Sequence, residues 1–267
     1  MSSEYDPAAA SSDEALAFYD QLAAQYHLIY GDWRGRAVPH HGAVLDAVVH
    51  EALGPGPFAV LDCACGIGTQ AIGLALRGHQ VHATDLSPRA VARAAREASS
   101  FGATLTVGVA DFRSLIADVP GTFDVVLAAD NAVAHLLTDD DLGRAARNMR
   151  AKLRSGGVLI LGIRDYDQLV QARPHVTSPI VMESAEGRRI VFQVWDWAAD
   201  GGSYQFELFI MTRVGERWET RSYTSRVRAL LRMDLERALR AAGFRELQWH
   251  EPEETQHFQP LITARNP

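Results

Sequence analysis

Residues 60–87 read VLDCACGIGTQAIGLALRGHQVHATDLS. A short apolar run stops at Asp62, and Gly66 and Gly68 follow. A helical stretch comes next, closed by Gly78, and a second apolar run stops at Asp85. Apolar runs of this length read as strands, and the stretch between them as a helix. The two glycines mark the turn from strand to helix, where the backbone needs dihedrals that a Cβ would resist. Strand, turn, helix and strand make one βαβ unit.

The unit repeats outward. FAVLDC (58–63), QVHATD (80–85), TLTVGVA (104–110), FDVVLAAD (123–130) and VLILGI (158–163) read as strands. Helices intervene at 69–77, at 88–100 with Ser87-Pro88 as its cap and first turn, and at 139–153, ending in RSGG. Nearly continuous apolar strands are those covered on both faces. The alternation therefore predicts an α/β fold with a doubly wound parallel sheet. Ahead of it, residues 1–12 are Ala/Ser-rich and read as frayed. A helix follows from a Ser12 or Asp13 cap, with Leu16, Tyr19, Leu22, Ala23 and Tyr26 at helical spacing, and another spans 40–53 up to GPGP. Behind the fifth strand the rhythm changes. RRIVFQVWDW, SYQFELFIMT and WETRSYTSRV, separated by ADGG and VGER within 176–227, predict an antiparallel β insertion. A helix at 232–242 and two strands near 244–249 and 260–265 close the chain.

Composition narrows the function classes. The 267 residues, 47% hydrophobic and 22% charged, can bury a large core without staples. A net charge of -7 is a poor match to nucleic acid or an anionic membrane surface. No apolar run approaches the roughly 20 residues of a membrane span, and MSSEYDPAAASSDEAL has no secretory pattern. A cytoplasmic protein with neither partner is expected. Cys63 and Cys65 lack further ligands at zinc spacing and read as small residues filling the turn. His40-His41 reads as a helix start, so no metal site is expected.

The turn admits two ligand classes. Residues 66–71 satisfy G-x-G-x-x-A, the dinucleotide pattern. Asp85, ending the second strand, can accept from both hydroxyls of a ribose, which a nicotinamide dinucleotide and S-adenosylmethionine share. Asp62 separates them: a pyrophosphate is repelled by a carboxylate ahead of the glycines, whereas an ammonium or sulfonium is not. Asp111-Phe112 offers an acceptor and an aromatic face for an adenine. Acids at successive strand ends converge on the crevice of a doubly wound sheet.

With these residues the chain resembles a class I S-adenosylmethionine-dependent methyltransferase over residues 58 to 165. Within that group it is similar to the glycine and glycine/sarcosine N-methyltransferases, through VLDCACGIGT, DNAVAHL (130–136), IRDYD (163–167) and IYGDWRGR (29–36). The resemblance implies a Rossmann-like core with an N-terminal helical lid. It divides the chain into a lid (1–36), a cofactor-binding core (37–165), an acceptor-side insertion (166–227) and a C-terminal helix and strands (228–267). It implies that Ala64 and Gly66 contact the methionine part of the cofactor, with Asp62 and Gly68 in the same motif. Asp85 and Leu86 would hold the ribose, and Asp111 and Phe112 the adenine. Arg36 would pair with the cofactor carboxylate, and Tyr30, with Tyr26 or Trp33, would close over the sulfonium. Asp130 ends the fourth strand beside Asn131, which would face the acceptor, and His135 belongs to the same loop. Tyr166 and Asp167 occupy the family's positions after Arg164. Ala132-Val133 and Ile163 depart from the family's usual residues, and 176–227 carries no match.

The chemistry implied is in-line methyl transfer to a small amine, with glycine, sarcosine or a related amino acid as acceptor. Transfer to oxygen or carbon of another small molecule is the alternative. A nicotinamide oxidoreductase and a non-catalytic cofactor binder are competing classes. Arg164 either binds an acceptor carboxylate or braces the sheet end through a salt bridge. Asn131 either accepts from the amine or caps its loop. His135 either takes a proton or is structural. Tyr30 either lends its edge or π face to a cation or packs. Trp195 and Trp197 share a strand face and either line an acceptor pocket or fill the core. A homo-oligomer, with the N-terminal segment reaching a neighbour's site, is one arrangement the sequence allows.

Overall fold

The computed structural model describes residues 7–184 and 187–267. The expected fraying of residues 1–12 lies outside the described residues for 1–6 and is corrected for the rest. Helix α1 (Pro7–Leu22) starts before the expected Ser12 or Asp13 cap. A proline in its first turn followed by alanines favours that earlier start. A 3-10 turn at Tyr26–Ile29 and a π turn at Trp33–Ala37 lead into α2 (Val38–Leu53).

The alternating core follows: β1 (Ala59–Asp62), α3 (Thr69–Ala75), β2 (Gln80–Asp85), α4 (Pro88–Phe101), β3 (Leu105–Val109), α5 (Leu115–Asp118), β4 (Phe123–Ala128), α6 (Asp139–Ala151) and β5 (Leu153–Gly162). Ser87 caps α4 as read, its hydroxyl accepting from the Ala90 amide at 3.0 Å. RSGG does not end a helix. It lies inside β5, where Phe123 pairs with Leu153 and the register then shifts before Val125 meets Val158. The irregularity, with Gly156 at φ +77°, absorbs a tetrapeptide that reads as a loop.

Beyond β5 comes α7 (Tyr166–Ala172), which the sequence reading did not anticipate. Asp165 caps it, accepting from the Gln168 amide. The insertion is a separate antiparallel sheet, β6 (Ile180–Ser184), β7 (Gly187–Trp197), β8 (Ser203–Val214) and β9 (Arg217–Arg228), in that order. ADGG and VGER form its hairpins as expected. The chain closes with α8 (Arg232–Ala241), β10 (Arg245–His250), α9 (Pro252–Thr255) and β11 (Leu261–Arg265).

The main sheet has the order β10-β11-β5-β4-β1-β2-β3. β1 to β5 are parallel, and β11 runs antiparallel to β5 and β10. Strand order reverses at β1, so the crevice between β1 and β4 is where a ligand fits such a sheet. Alternate strand residues feed two cores. Val60, Val125 and Val158 pack with Leu45, Val49 and Leu74 on one face. Leu61, Val126 and Leu159 pack with Leu142, Met149 and Leu235 on the other, and that core continues through Phe18 and Leu22 of α1 into Phe206 and Leu208 of β8. On the first face α2 crosses α3 at Gly42 and Gly73, and a Cβ on Gly42 would stand 2.6 Å from Gly73 backbone atoms. Among the described residues no helix is long and apolar enough to cross a membrane.

Candidate active site

Two cavities meet at the carboxyl ends of the parallel strands. The first, of about 70 Å³, lies over the ends of β1 to β4. The second, of about 470 Å³, lies between α1, the strand ends and the inner face of the antiparallel sheet. Tyr19, Tyr26, Tyr30, Asp130 and His135 line both.

The first cavity collects most of the predicted cofactor residues: Ala64, Gly66, Asp85, Leu86, Asp111, Phe112 and Asp130, beneath Tyr26 and Tyr30. Gly66 sits at φ +52°, and a Cβ there would come within 3.2 Å of the Tyr26 ring. Asp85 fastens the turn: one carboxylate oxygen accepts from the Gly66 amide at 2.8 Å and the other from the Ser87 amide at 2.9 Å. Burial raises its pKa against the pull of those two bonds. The Asp111 carboxylate is engaged by Arg113 at 2.6 Å, so its charge is balanced within the chain. Cys63 and Cys65 also line this cavity, buried, with thiol pKa values pushed well up by burial.

Four predicted residues stand elsewhere. Asp62 lies under the turn, 1% exposed, with one oxygen accepting from the Ala64 amide at 3.3 Å and the other without a partner among the described residues. Burial pushes its pKa to about 8, with Asp85 and Asp130 adding to the rise. At neutral pH it is mostly protonated in the chain alone, and a cation beside it would re-ionise it. Gly68, at φ +92°, faces Ile72 and Ala94, and its role is to let α3 start close against α4. Trp33 does not close over the cavity. It is buried behind the turn with Ile67 and Ile72, its indole donating to Thr69 Oγ1 at 2.8 Å. An indole is held where both its ring and its N–H are satisfied. Arg36 is exposed in an open hollow with Asp32, His40 and Glu183, and has no ion-pair partner among the described residues.

The second cavity holds the predicted acceptor residues in one network. Asp130 and Asn131 both take left-handed dihedrals, φ +56° and +69°, a costly pair for residues with a Cβ. Asn131 Oδ1 accepts from the Arg164 amide at 3.1 Å, and its Nδ2 donates to the Tyr166 hydroxyl at 2.9 Å. Arg164 donates to the Tyr204 hydroxyl and to Gln193 Oε1, each at 3.1 Å, with its guanidinium 4.8 Å over the Trp195 ring. Among the described residues it meets no carboxylate, so the salt-bridge reading is not realised. Trp195 is buried against Tyr204, with centroids 4.4 Å apart, and Trp197 donates to the Pro174 carbonyl. Trp195 fills the core, Trp197 packs half-buried against it, and neither lines the chamber.

His135 is wedged between Tyr19, whose hydroxyl shares a hydrogen bond with Nε2 at 3.1 Å, and Ser225 at 3.5 Å. Burial pushes its pKa down to about 4, leaving it neutral at pH 7 and a weak base. Burial raises the Tyr19, Tyr26 and Tyr30 hydroxyls well above their usual range, so all three are protonated donors. Gln70 donates to Asp130 at 2.6 Å.

Sequence reasoning missed Tyr19, Gln70, Gln193 and Tyr204 as lining residues. Tyr19 carried a signal, a polar tip on an otherwise apolar helix face. Gln193 and Tyr204 carried none, because strand pairing alone brings them to the inner face.

Residues 60–157 match the family described as a methyltransferase domain. A glycine/sarcosine N-methyltransferase of Parasynechococcus marenigrum is 36% identical over 140 residues, 52% of this chain and 48% of its own length. The chain spans about half the length, or less, of the curated relatives it matches. Among solved structures, DesVI of Streptomyces venezuelae superposes with a TM-score of 0.73 at 22% identity, over 92% of this chain and 98% of that one. The S-adenosylmethionine-bound amino pentose methyltransferase CalS10 of Micromonospora echinaspora gives 0.69 at 23% identity, over 88% and 94%. The chain has the class I methyltransferase fold, with N-terminal helices ahead of the core sheet and an antiparallel insertion, and is related to the glycine/sarcosine N-methyltransferases.

Proposed function

We propose that this chain is an S-adenosylmethionine-dependent methyltransferase that methylates a small amine, with glycine, sarcosine or a related amino acid as acceptor. The observation that carries the reading is the junction of the two cavities. A donor over the strand ends and an acceptor under the antiparallel sheet would face each other across Tyr19, Tyr26, Tyr30, Asp130 and His135.

The cofactor fits the residues present. Gly66 leaves a cradle that a Cβ would fill, and the partnerless Asp62 oxygen suits a cationic group nearby. Asp85 and Leu86 would hold the ribose, Asp111 and Phe112 the adenine, and Ala64 and Gly66 the methionine part. When bound, the sulfonium supplies the methyl group and the driving force for its in-line displacement. The chain's contribution is alignment and exclusion of water. Tyr19, Tyr26 and Tyr30 present neutral hydroxyls and ring faces, which suit a positive charge that disappears during reaction. Arg164 is oriented by Tyr204, Gln193 and Trp195 and keeps its charge for an acceptor carboxylate. Asn131 fixes the Arg164 backbone and borders the chamber. His135, held neutral, positions Tyr19 and does not serve as the base.

In this reading residues 1–36 form the lid, 37–165 and 228–267 the core, and 166–227 the acceptor side. The two buried free thiols suit a reducing, cytoplasmic setting. One observation favours a second acceptor class. The chamber is larger than glycine requires, and its Phe18, Leu22, Val191, Phe206 and Leu208 walls suit a bulkier small molecule methylated on nitrogen, oxygen or carbon.

Methyl transfer from labelled cofactor over a panel of amino acids, other amines, phenols and sugars tests the proposal. Label in an amino acid is the expected result. Label only in oxygen or carbon acceptors selects the second class, and no cofactor binding overturns both.

A further inference from the structure

His41 on α2, Asp130 after β4 and His257 after α9 come from three distant parts of the chain, yet one ligand atom of each lies within 4.8 Å of the other two. His257 is 2% exposed and His41 5%. His257 Nδ1 stands 3.0 Å from the Gln259 carbonyl and 3.4 Å from the Gln259 amide; with the ring proton on Nδ1 the shorter contact is a hydrogen bond and Nε2 carries a lone pair. That Nε2 points at Asp130 Oδ1 across 3.6 Å, and neither atom has a hydrogen-bond partner among the described residues. A protonated imidazole against a carboxylate closes to about 2.7–2.9 Å. A lone pair and a carboxylate held 3.6 Å apart are instead two donors with room for a cation between them. Two ligand atoms at about 2.0–2.2 Å from a tetrahedral ion stand about 3.3–3.6 Å apart.

The geometry points to a site for a divalent first-row transition ion, Zn²⁺ foremost, bound by His41, Asp130 and His257. Two imidazoles and one carboxylate suit such an ion better than Mg²⁺ or Ca²⁺, which favour oxygen ligands. The outer shell is in place: the Gln259 backbone holds the His257 ring through Nδ1, and Gln70 holds the other Asp130 oxygen at 2.6 Å. His41 and Asp130 line the second cavity, which supplies the entry path and faces the position left open by three protein ligands. An amine or carboxylate of the acceptor completes the shell there. That last step rests on the proposed function, whereas ion binding does not.

A second cluster, Asp46, His50 and His79, shows the contrast. There His79 Nε2 meets Asp46 at 2.9 Å, its Nδ1 accepts from the Phe58 amide, and Arg77 neutralises Asp46. Its donors are spent on one another.

Chelator-treated full-length chain titrated with Co²⁺ tests the site, with visible absorption as the readout. One equivalent should bind saturably and develop ligand-field bands. His41→Gln and His257→Gln should each weaken binding at least about tenfold, and His50→Gln should leave it unchanged. Absence of saturable uptake by the unsubstituted chain overturns the site, as does loss of binding with His50→Gln alone. If His257→Gln does not fold, the unsubstituted chain and His41→Gln decide. S-adenosylmethionine binding measured on the same samples keeps a failure of the methyltransferase reading distinct from a failure of the metal site.

Discussion

Arg164 donates to the Tyr204 hydroxyl at 3.1 Å, tying the end of β5 to β8 of the antiparallel sheet. Tyr204 lies 3.5 Å from the Tyr166 hydroxyl, Tyr166 accepts from Asn131, and Asn131 accepts from the Arg164 amide. The loop of contacts closes on itself, so the charge that faces the acceptor chamber is held by neutral groups from both sheets.

Arg164→Ala should therefore raise KM for a carboxylate-bearing acceptor by about tenfold or more, the scale of one lost charge-assisted bond. Cofactor affinity should change by less than twofold, because Arg164 does not line the first cavity. Steady-state kinetics beside calorimetric cofactor titration measures both, and an unchanged KM removes Arg164 from the acceptor.

Asp85→Ala should weaken S-adenosylmethionine binding by at least about thirtyfold. It removes a ribose acceptor and also leaves the Gly66 and Ser87 amides unpaired. Isothermal titration reads the loss, and full retained affinity assigns the ribose elsewhere.

Asp62→Asn should stabilise the chain at alkaline pH. The folded pKa, about 8, lies above the unfolded carboxylate value, so the folded state holds the proton more tightly. The stability this contributes is complete below about pH 4 and is lost as pH rises through 8. Thermal melts at pH 6 and pH 9 should show the substitution gaining on the parent by at least about 1 kcal/mol. An equal difference at both pH values contradicts the burial argument.

His135 should leave no limb in the rate profile between pH 5 and 8, since its folded pKa is about 4. Its effect is on stability. The unfolded imidazole takes a proton near pH 6.5 and the buried one does not, so stability falls as pH drops from about 6.5 toward 4. His135→Gln should flatten that part of the stability curve while leaving the shape of kcat/KM against pH unchanged.

Gly42→Ala should destabilise the fold by about 3 kcal/mol or more, because its methyl group would enter Gly73 backbone at 2.6 Å. Chemical denaturation measures the loss. A substitution without effect requires α2 and α3 to cross farther apart.

The succession of strands and the glycine turn at the edge of the crevice were legible because both rest on local patterns, whereas the order β10-β11-β5-β4-β1-β2-β3 was not. Apolar strand runs, the Gly66 turn, Asp85 and the Ser87 cap all sit where periodicity and turn chemistry put them. Trp33 and Arg36 were read from their string alone. The π turn at Trp33–Ala37, with Asp32 accepting from the Gly35 amide, buries one and exposes the other. The neutrality of His135 and Asp62 depends on burial, which no spacing encodes. The Gln193 and Tyr204 contacts depend on the register of β7 against β8, and the His41–His257 approach on the path of the last helix and strand.

Cys63 and Cys65 give the chain a built-in clock. Both thiols lie in the cofactor cavity wall, sealed from solvent and protonated at physiological pH. A thiol in that state reacts with a disulfide reagent only during excursions that open the turn. The blocking rate thus counts how often the crevice breathes, without any added label, and each ligand that holds the turn shut slows the count.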